Sequence, residues 1–307
     1  MGIESKYIWM DGELVEYEKA TVPFLSSALH YGLGVFEGIR CYNTEKGAAV
    51  FRLKEHMDRL INSAKILGFR ELPYSADELC AATKATIKAN EMPACYIRPL
   101  IYHDSPTMGL NLDSGCAKVG IAMWRWDSYL GEEAVEKGIR ANISSFTRHH
   151  PNVTMTKSKA SGNYTNSVLA KTESVRLGFD EAIMLDPQGY VAECTGENLF
   201  VIRKGVIYTP QSSTVLEGIT RDALLTLAND LGYTVQEKLL GRDQLYIADE
   251  MFVCGTAAEL IPVTEVDFRT IGSGRMGPIT RSLQQAFHAV IKGSHPRSAG
   301  WLDYVNE

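Results

Sequence analysis

Lys159 is followed five positions later by Tyr164 in the run Lys159-Ala160-Ser161-Gly162-Asn163-Tyr164, where a helix is expected to begin. A lysine in a short small-residue segment between a strand and a helix presents its amine at a fixed point, as Schiff-base chemistry with a carbonyl group requires. A solvated loop lysine is the commoner fate of a single Lys, and Lys157 is a chemical rival two residues earlier. Three later segments add weight to the chemical reading. Val191 to Phe200 sets Glu193 in an apolar strand, Gly218-Ile219-Thr220 opens a helix, and Gly255-Thr256-Ala257-Ala258 follows a second apolar strand. A phosphorylated aldehyde cofactor needs such parts: a carboxylate to keep its ring nitrogen protonated, and helix-start amides with a hydroxyl for its phosphate. Each also has a plainer reading. Glu193 could face solvent from a half-buried strand, and Thr220 could be an ordinary N-cap worth about 1 kcal/mol.

The chain has 307 residues, 45% hydrophobic and 22% charged. That is ordinary for a globular protein with a sizeable core and suggests one large or two medium domains. A formal net charge of −6 argues against nucleic acid or an anionic membrane as the main partner and favours small molecules. The first residues show no basic start followed by an apolar run, and no stretch approaches the unbroken length of a membrane span. A cytoplasmic protein is the expectation. The six cysteines lack any Cys-x-x-Cys spacing and read as reduced thiols, neither a disulfide framework nor a metal site.

The elements that must position these residues follow from periodicity. Asp11-Gly12 between two apolar runs predicts a hairpin. Leu53, Met57, Leu60, Ile61, Ala64 and Leu67 recur at helical spacing until Gly68, and a second helix over residues 76–89 has Ser75 as its cap. Strands are expected over 95–103 and 118–124. This half reads as a small N-terminal α/β domain, residues 1–123. Residues 124–137 read as an interdomain connector, and 138–307 as a larger domain. In the larger domain a strand over 139–146 leads to the lysine segment and a helix over 164–177, then a meander over 180–210, a helix over 220–231, a hairpin, a helix over 279–292 and a polar tail.

Together, the lysine segment, Glu193 to Phe200, Gly218-Ile219-Thr220, Gly255 to Ala258 and Tyr96-Ile97-Arg98 resemble the fold-type IV pyridoxal-phosphate enzymes, most closely the branched-chain amino acid aminotransferases. The resemblance covers nearly the whole chain. It implies a two-domain α/β fold, pyridoxal 5'-phosphate as cofactor and a homodimer or higher homo-oligomer. The implied reaction is ping-pong transfer of the amino group of L-leucine, L-isoleucine or L-valine to 2-oxoglutarate. It selects Lys159 over Lys157 as the catalytic lysine and implies that Arg59, Tyr164, Glu193, Leu216, Ile219, Thr220 and Thr256 bind the cofactor. Arg40 and Arg98 are implied to receive the glutamate side-chain carboxylate. Tyr31, Phe36, Gly38, Tyr96, Trp126 and Tyr129 are implied to line the substrate pocket, with Leu110 lent by a dimer partner. Thr256 and Ala257 are implied to hold the α-carboxylate. Cys194 departs from the small residue expected at its position.

Rivals on the same scaffold are a D-amino acid or (R)-amine aminotransferase and aminodeoxychorismate lyase. From other classes come a nucleotide-dependent oxidoreductase and a non-catalytic binding protein. Gly272-Ser273-Gly274-Arg275-Met276-Gly277 fits a dinucleotide fingerprint literally, but the second parallel strand and distal acid that the fingerprint needs are missing. It reads as a hairpin tip.

Overall fold

The computed structural model describes residues 5–105, 107–126 and 132–307. Asp11 and Gly12 adopt φ values of 47° and 102°, the left-handed pair that a two-residue hairpin demands. Strands β1 (Tyr7–Met10) and β2 (Glu13–Glu16) accordingly pair antiparallel, with Met10 opposite Glu13. The chain divides into two compact units of mixed α/β structure. One comprises Met1–Trp126, Ser158–Gly162 and Val290–Glu307; the other comprises Asp127–Lys157 and Asn163–Ala289.

After the short helix α1 (Ser27–Tyr31), the first unit continues through β3 (Gly34–Phe36), β4 (Ile39–Thr44), β5 (Gly47–Phe51), helices α2 (Leu53–Leu67) and α3 (Ala76–Asn90), β6 (Cys95–Asp104) and β7 (Cys116–Trp124). Its sheet runs β5-β4-β6-β7-β1-β2, with β3 also on β6. The apolar stripe predicted for α2 is the buried one. Leu53, Met57 and Leu60 join Leu79 and Ile87 of α3 against Ile39, Ile97, Ile101 and Ile121. Gly68 ends α2 at φ 102°, and Ser75 begins α3 with a capping box closed by Glu78, both as their residue types dictate.

The expected polar tail is instead structured. Leu302–Tyr304 adds a strand to β5, Leu302 and Val305 are buried, and Asp303 Oδ2 accepts the Leu53 N–H at 3.0 Å. Two apolar residues are too few to show a period, whereas the edge of β5 has backbone groups to satisfy.

The second unit contains α4 (Glu132–Lys137), β8 (Ile139–Ile143), α5 (Tyr164–Arg176), β9 (Glu181–Leu185), β10 (Val191–Cys194), β11 (Asn198–Arg203), β12 (Val206–Thr209), α6 (Ile219–Asp230), β13 (Val235–Glu237), α7 (Arg242–Tyr246), β14 (Glu250–Gly255), β15 (Glu259–Val266) and β16 (Arg269–Thr270). The sheet order is β10-β9-β8-β15-β14-β11-β12-β13, with β16 on β15. The expected meander over 180–210 is therefore broken. The Cys194 N–H donates to the Glu197 carbonyl at 2.8 Å, turning the chain out of β10, and β11 pairs with β14, where Phe200 stacks on Phe252 at 4.7 Å. A strand as buried as β11 needs a partner on each edge.

The Gly272 to Gly277 run is not a hairpin tip. That place is taken by Asp267 and Phe268, at φ 47° and 62°, between β15 and β16. The glycine run leads into α8 (Pro278–Ile291), whose first turn is capped by Glu250 through Thr280 N–H at 2.8 Å and its hydroxyl at 2.7 Å. A Cβ at Gly277 would lie 2.0 Å from that carboxylate.

Removing the Asp303 carboxylate leaves the first α2 donor unsatisfied in a partly buried position. Asp303→Ala is expected to destabilise the first unit by about 1 kcal/mol, read as a lowered urea midpoint at unchanged slope.

Candidate active site

Lys159 belongs to five residues, Ser158–Gly162, that pack with the first unit. Its N–H donates to Ser63 Oγ at 3.0 Å, the Ser158 hydroxyl donates to the Ser63 carbonyl at 2.9 Å, and its carbonyl accepts the Phe36 N–H at 3.1 Å. Val35 and Ala160 form an antiparallel bridge. The segment packs closely on two glycines of the first unit: a Cβ on Gly32 would come within 2.9 Å of Gly162 Cα, and one on Gly34 within 3.3 Å of Ser161 Oγ. With its backbone held, Lys159 places Nζ 5.2 Å from the centre of the Phe36 ring.

Phe36-Glu37-Gly38 carries opposed functions on consecutive residues. Glu37 is fully buried and receives Arg59 through Nε at 2.6 Å and Nη2 at 2.7 Å, with His56 Nδ1 2.8 Å from Oε2. Burial pushes the Glu37 pKa up, but the Arg59 charge and the His56 and Arg59 hydrogen bonds outweigh it and hold the carboxyl far below its ordinary range. For His56 burial dominates over the pull of Glu37 and lowers the pKa, so the ring is neutral and donates from Nδ1.

Gly38 admits the Tyr96 hydroxyl, which would sit 2.0 Å from an added Cβ. Tyr96 stacks on Trp126 at 4.9 Å and meets Trp124 at 5.1 Å. The Arg98 guanidinium lies 4.7 Å from the Phe36 ring centre, 5.4 Å from Tyr96 and 5.8 Å from Trp124. Among the described residues its only hydrogen bond runs from Nη2 to the Tyr96 hydroxyl at 3.4 Å, and its buried Nε has no hydrogen-bond partner there. Arg40 lies opposite Tyr96 across β4 and β6. Tyr31 and Leu110 are exposed, Leu110 to 81%, and Tyr129 falls outside the described residues.

The second group of sequence-selected residues lies in the second unit. Glu193 on β10 is buried, and its Oε2 accepts the Leu216 N–H at 3.1 Å and Asn198 Nδ2 at 3.3 Å. Its Oε1 forms an ion pair with Arg148 Nη2 at 2.8 Å yet accepts no hydrogen bond among the described residues. Asn198 also donates to the Leu216 carbonyl at 3.0 Å, and its Oδ1 would be 2.0 Å from a Cβ on Gly218, the residue before α6. Ile219 and Thr220 begin α6 and are buried. Tyr164 begins α5, and Thr256 and Ala257 follow β14. Lys157 has other employment: its ammonium bonds the Ser212 and Val215 carbonyls and pairs with Glu217 at 3.0 Å.

The profile of the amino-transferase class IV family matches residues 34–266. A branched-chain-amino-acid aminotransferase of Pseudomonas aeruginosa is 50% identical over 298 residues, 97% of each chain. The crystal structure of the Escherichia coli branched-chain amino acid aminotransferase superposes with a TM-score of 0.96 at 48% identity, covering 99% of this chain and 100% of that one. The branched-chain amino acid aminotransferase of Thermobaculum terrenum, in its PLP-bound holo-form, gives 0.93 at 35% identity, over 99% of each chain. The chain belongs to the class IV aminotransferases.

Several buried or closely packed polar residues beside the sequence-predicted ones escaped sequence reasoning. Glu37 and Arg148 are charges whose burial no local pattern announces, although the apolar setting of Glu37 between Val35-Phe36 and Gly38-Ile39 is a signal that could have drawn attention to it. His56 and Ser63 flank the predicted Arg59 on α2 at spacings of three and four, one face of the helix. Gly38→Ala is expected to push Tyr96 off Trp126 and to lower kcat/KM for amino transfer about tenfold or more. Steady-state kinetics give the loss, and near-ultraviolet circular dichroism reports the ring displacement.

Proposed function

We infer that this class IV aminotransferase is a pyridoxal-phosphate-dependent branched-chain amino acid aminotransferase. It moves the amino group of L-leucine, L-isoleucine or L-valine to 2-oxoglutarate, giving the branched-chain 2-oxo acids and L-glutamate. The observation that carries the substrate assignment is Arg98, a guanidinium faced by Phe36, Tyr96 and Trp124 that pairs with no carboxylate among the described residues. Such a site offers apolar walls to a leucine side chain and a cation to the second carboxylate of glutamate. The D-amino acid, amine and lyase alternatives are not favoured, because relatives about half identical over nearly the full length are branched-chain aminotransferases.

The residues present fit the cofactor. A buried carboxylate oxygen, Glu193 Oε1, still has acceptor capacity, which suits a protonated ring nitrogen, while Leu216 and Asn198 hold the other oxygen in place. When bound, pyridoxal phosphate supplies the electron sink for loss of the substrate Cα proton. Lys159 carries the cofactor and then moves that proton with its amine. Arg59, Thr256 and the first residues of α6, Ile219 and Thr220, hold the phosphate, and Tyr164 hydrogen-bonds the phenolic oxygen. Arg40 joins Arg98 at the distal carboxylate, and Thr256 with the Ala257 backbone takes the α-carboxylate. Phe36, Tyr96, Trp126, Tyr129 and Tyr31 wall the pocket.

A homodimer is the expected assembly. Leu110, Met108, Phe24, Leu25 and Leu29 all expose apolar side chains, which supports a covering subunit and a Leu110 lent between copies. No described helix is long and apolar enough to cross a membrane, and the six cysteines are thiols; both support a cytoplasmic location.

Lys159→Ala is expected to abolish transamination between leucine and 2-oxoglutarate, by at least about a thousandfold. Lys157→Ala should cost stability through residues 212–217 while retaining most of the turnover per folded molecule. A Lys159→Ala enzyme of normal activity would end the assignment. Arg98→Ala is expected to slow the half-reaction with glutamate about ten- to a hundredfold and that with leucine far less, measured as single-turnover rates with each amino acid. Equal losses would make Arg98 a packing residue only.

A further inference from the structure

A buried ion pair is not by itself a source of stability, because desolvation cancels most of its attraction. The Glu37–Arg59 pair therefore calls for another reason. Glu37 is 0% exposed, whereas the Arg59 side chain retains 15% exposure, so one partner is anchored in the interior and the other reaches outward from α2. The carboxylate takes the Nε and Nη2 edge of the guanidinium, which fixes both its plane and the direction of its remaining N–H bonds. Behind it, neutral His56 donates Nδ1–H to Glu37 Oε2 at 2.8 Å, and the Glu37 N–H is itself bonded to the Pro99 carbonyl at 3.0 Å. The carboxylate is thus held by α2, and the backbone that carries it by β6.

We propose that Glu37, backed by His56, is the positioning residue that presets the Arg59 guanidinium for the phosphate of the cofactor. The proposal rests on the assignment of Arg59 to that phosphate. Two physical effects oppose each other here. Glu37 lowers the net positive charge offered to an anion, which weakens phosphate binding. It also makes Arg59 lose its rotamer freedom on folding, before the phosphate arrives, which strengthens binding. The bidentate geometry says that the second effect wins, and the sign of one measurement decides it.

The test compares pyridoxal phosphate with pyridoxal, which forms the same imine but lacks the phosphate. Apoenzymes of the native protein and of Glu37→Gln, Glu37→Asp, Arg59→Gln and the Glu37→Gln/Arg59→Gln double variant are titrated with each, following imine absorbance. Glu37→Gln is expected to raise Kd for pyridoxal phosphate about tenfold, or about 1.4 kcal/mol, and to leave Kd for pyridoxal within about twofold. In the Arg59→Gln background the Glu37 change should add nothing. Should Glu37→Gln not fold, Glu37→Asp, with its carboxylate one methylene short, is expected to show a smaller loss again confined to the phosphorylated ligand. Equal losses for both ligands, tighter binding of pyridoxal phosphate, or an additive double variant would overturn the proposal while leaving the Arg59 assignment standing. If Arg59→Gln weakens both ligands alike, the Arg59 assignment fails and the Glu37 proposal fails with it.

Discussion

The backbone clamp on Lys159 is the constraint on which the other features depend. A lysine side chain has four flexible bonds and about 2 kcal/mol of rotamer entropy, so its amine reacts at a defined point only if the chain beneath it is immobile. Ser63 supplies that immobility, taking the Lys159 N–H with its hydroxyl and the Ser158 hydroxyl with its carbonyl. Ser63 can do so only if α2 is itself fixed. The buried stripe of α2 packs into the first core, and its N-terminal donor is capped by Asp303, a residue 250 positions away in sequence. The same helix carries His56 and Arg59. One rigid rod thus sets the lysine assigned to the cofactor, the guanidinium assigned to the phosphate and the imidazole behind Glu37, and precision gained at one is gained at all three.

What could be read from the chain and what could not divides along physical lines. The α2 stripe, the Ser75 cap and the Asp11-Gly12 turn are local, because periodicity, capping and left-handed backbone are decided within a few residues. The lysine motif was legible only through family resemblance, and the tight approach of Gly32 and Gly34 to it shows only once the fold brings them together. The strand at Leu302–Tyr304 and the separation of β10 from β11 were not legible. Both are pairing choices between distant segments, and a three-residue strand has no period to display. Glu37 and Arg148 were missed for a related reason: a single charge shows its burial only when the residues that neutralise it are brought beside it.

The arginines of this chain show how one side chain is given different tasks by its neighbours. Arg59 meets a buried carboxylate through two hydrogen bonds and is thereby held in orientation. Arg148 meets Glu193 by charge, which offsets the cost of burying that carboxylate, but leaves Oε1 without a hydrogen bond among the described residues and so able to take one from a ligand. Arg98 meets no carboxylate among the described residues and is faced by aromatic rings, whose electron-rich faces stabilise a cation by about 0.5 to 2 kcal/mol without using its directional N–H bonds. A carboxylate beside Arg98 would have neutralised it before any substrate arrived. The aromatic setting keeps the guanidinium available to an incoming carboxylate and, in its absence, presents an apolar surface to a branched aliphatic side chain. The capacity proposed for this site, to accept two chemically opposite substrates, rests on what surrounds Arg98 as much as on Arg98 itself.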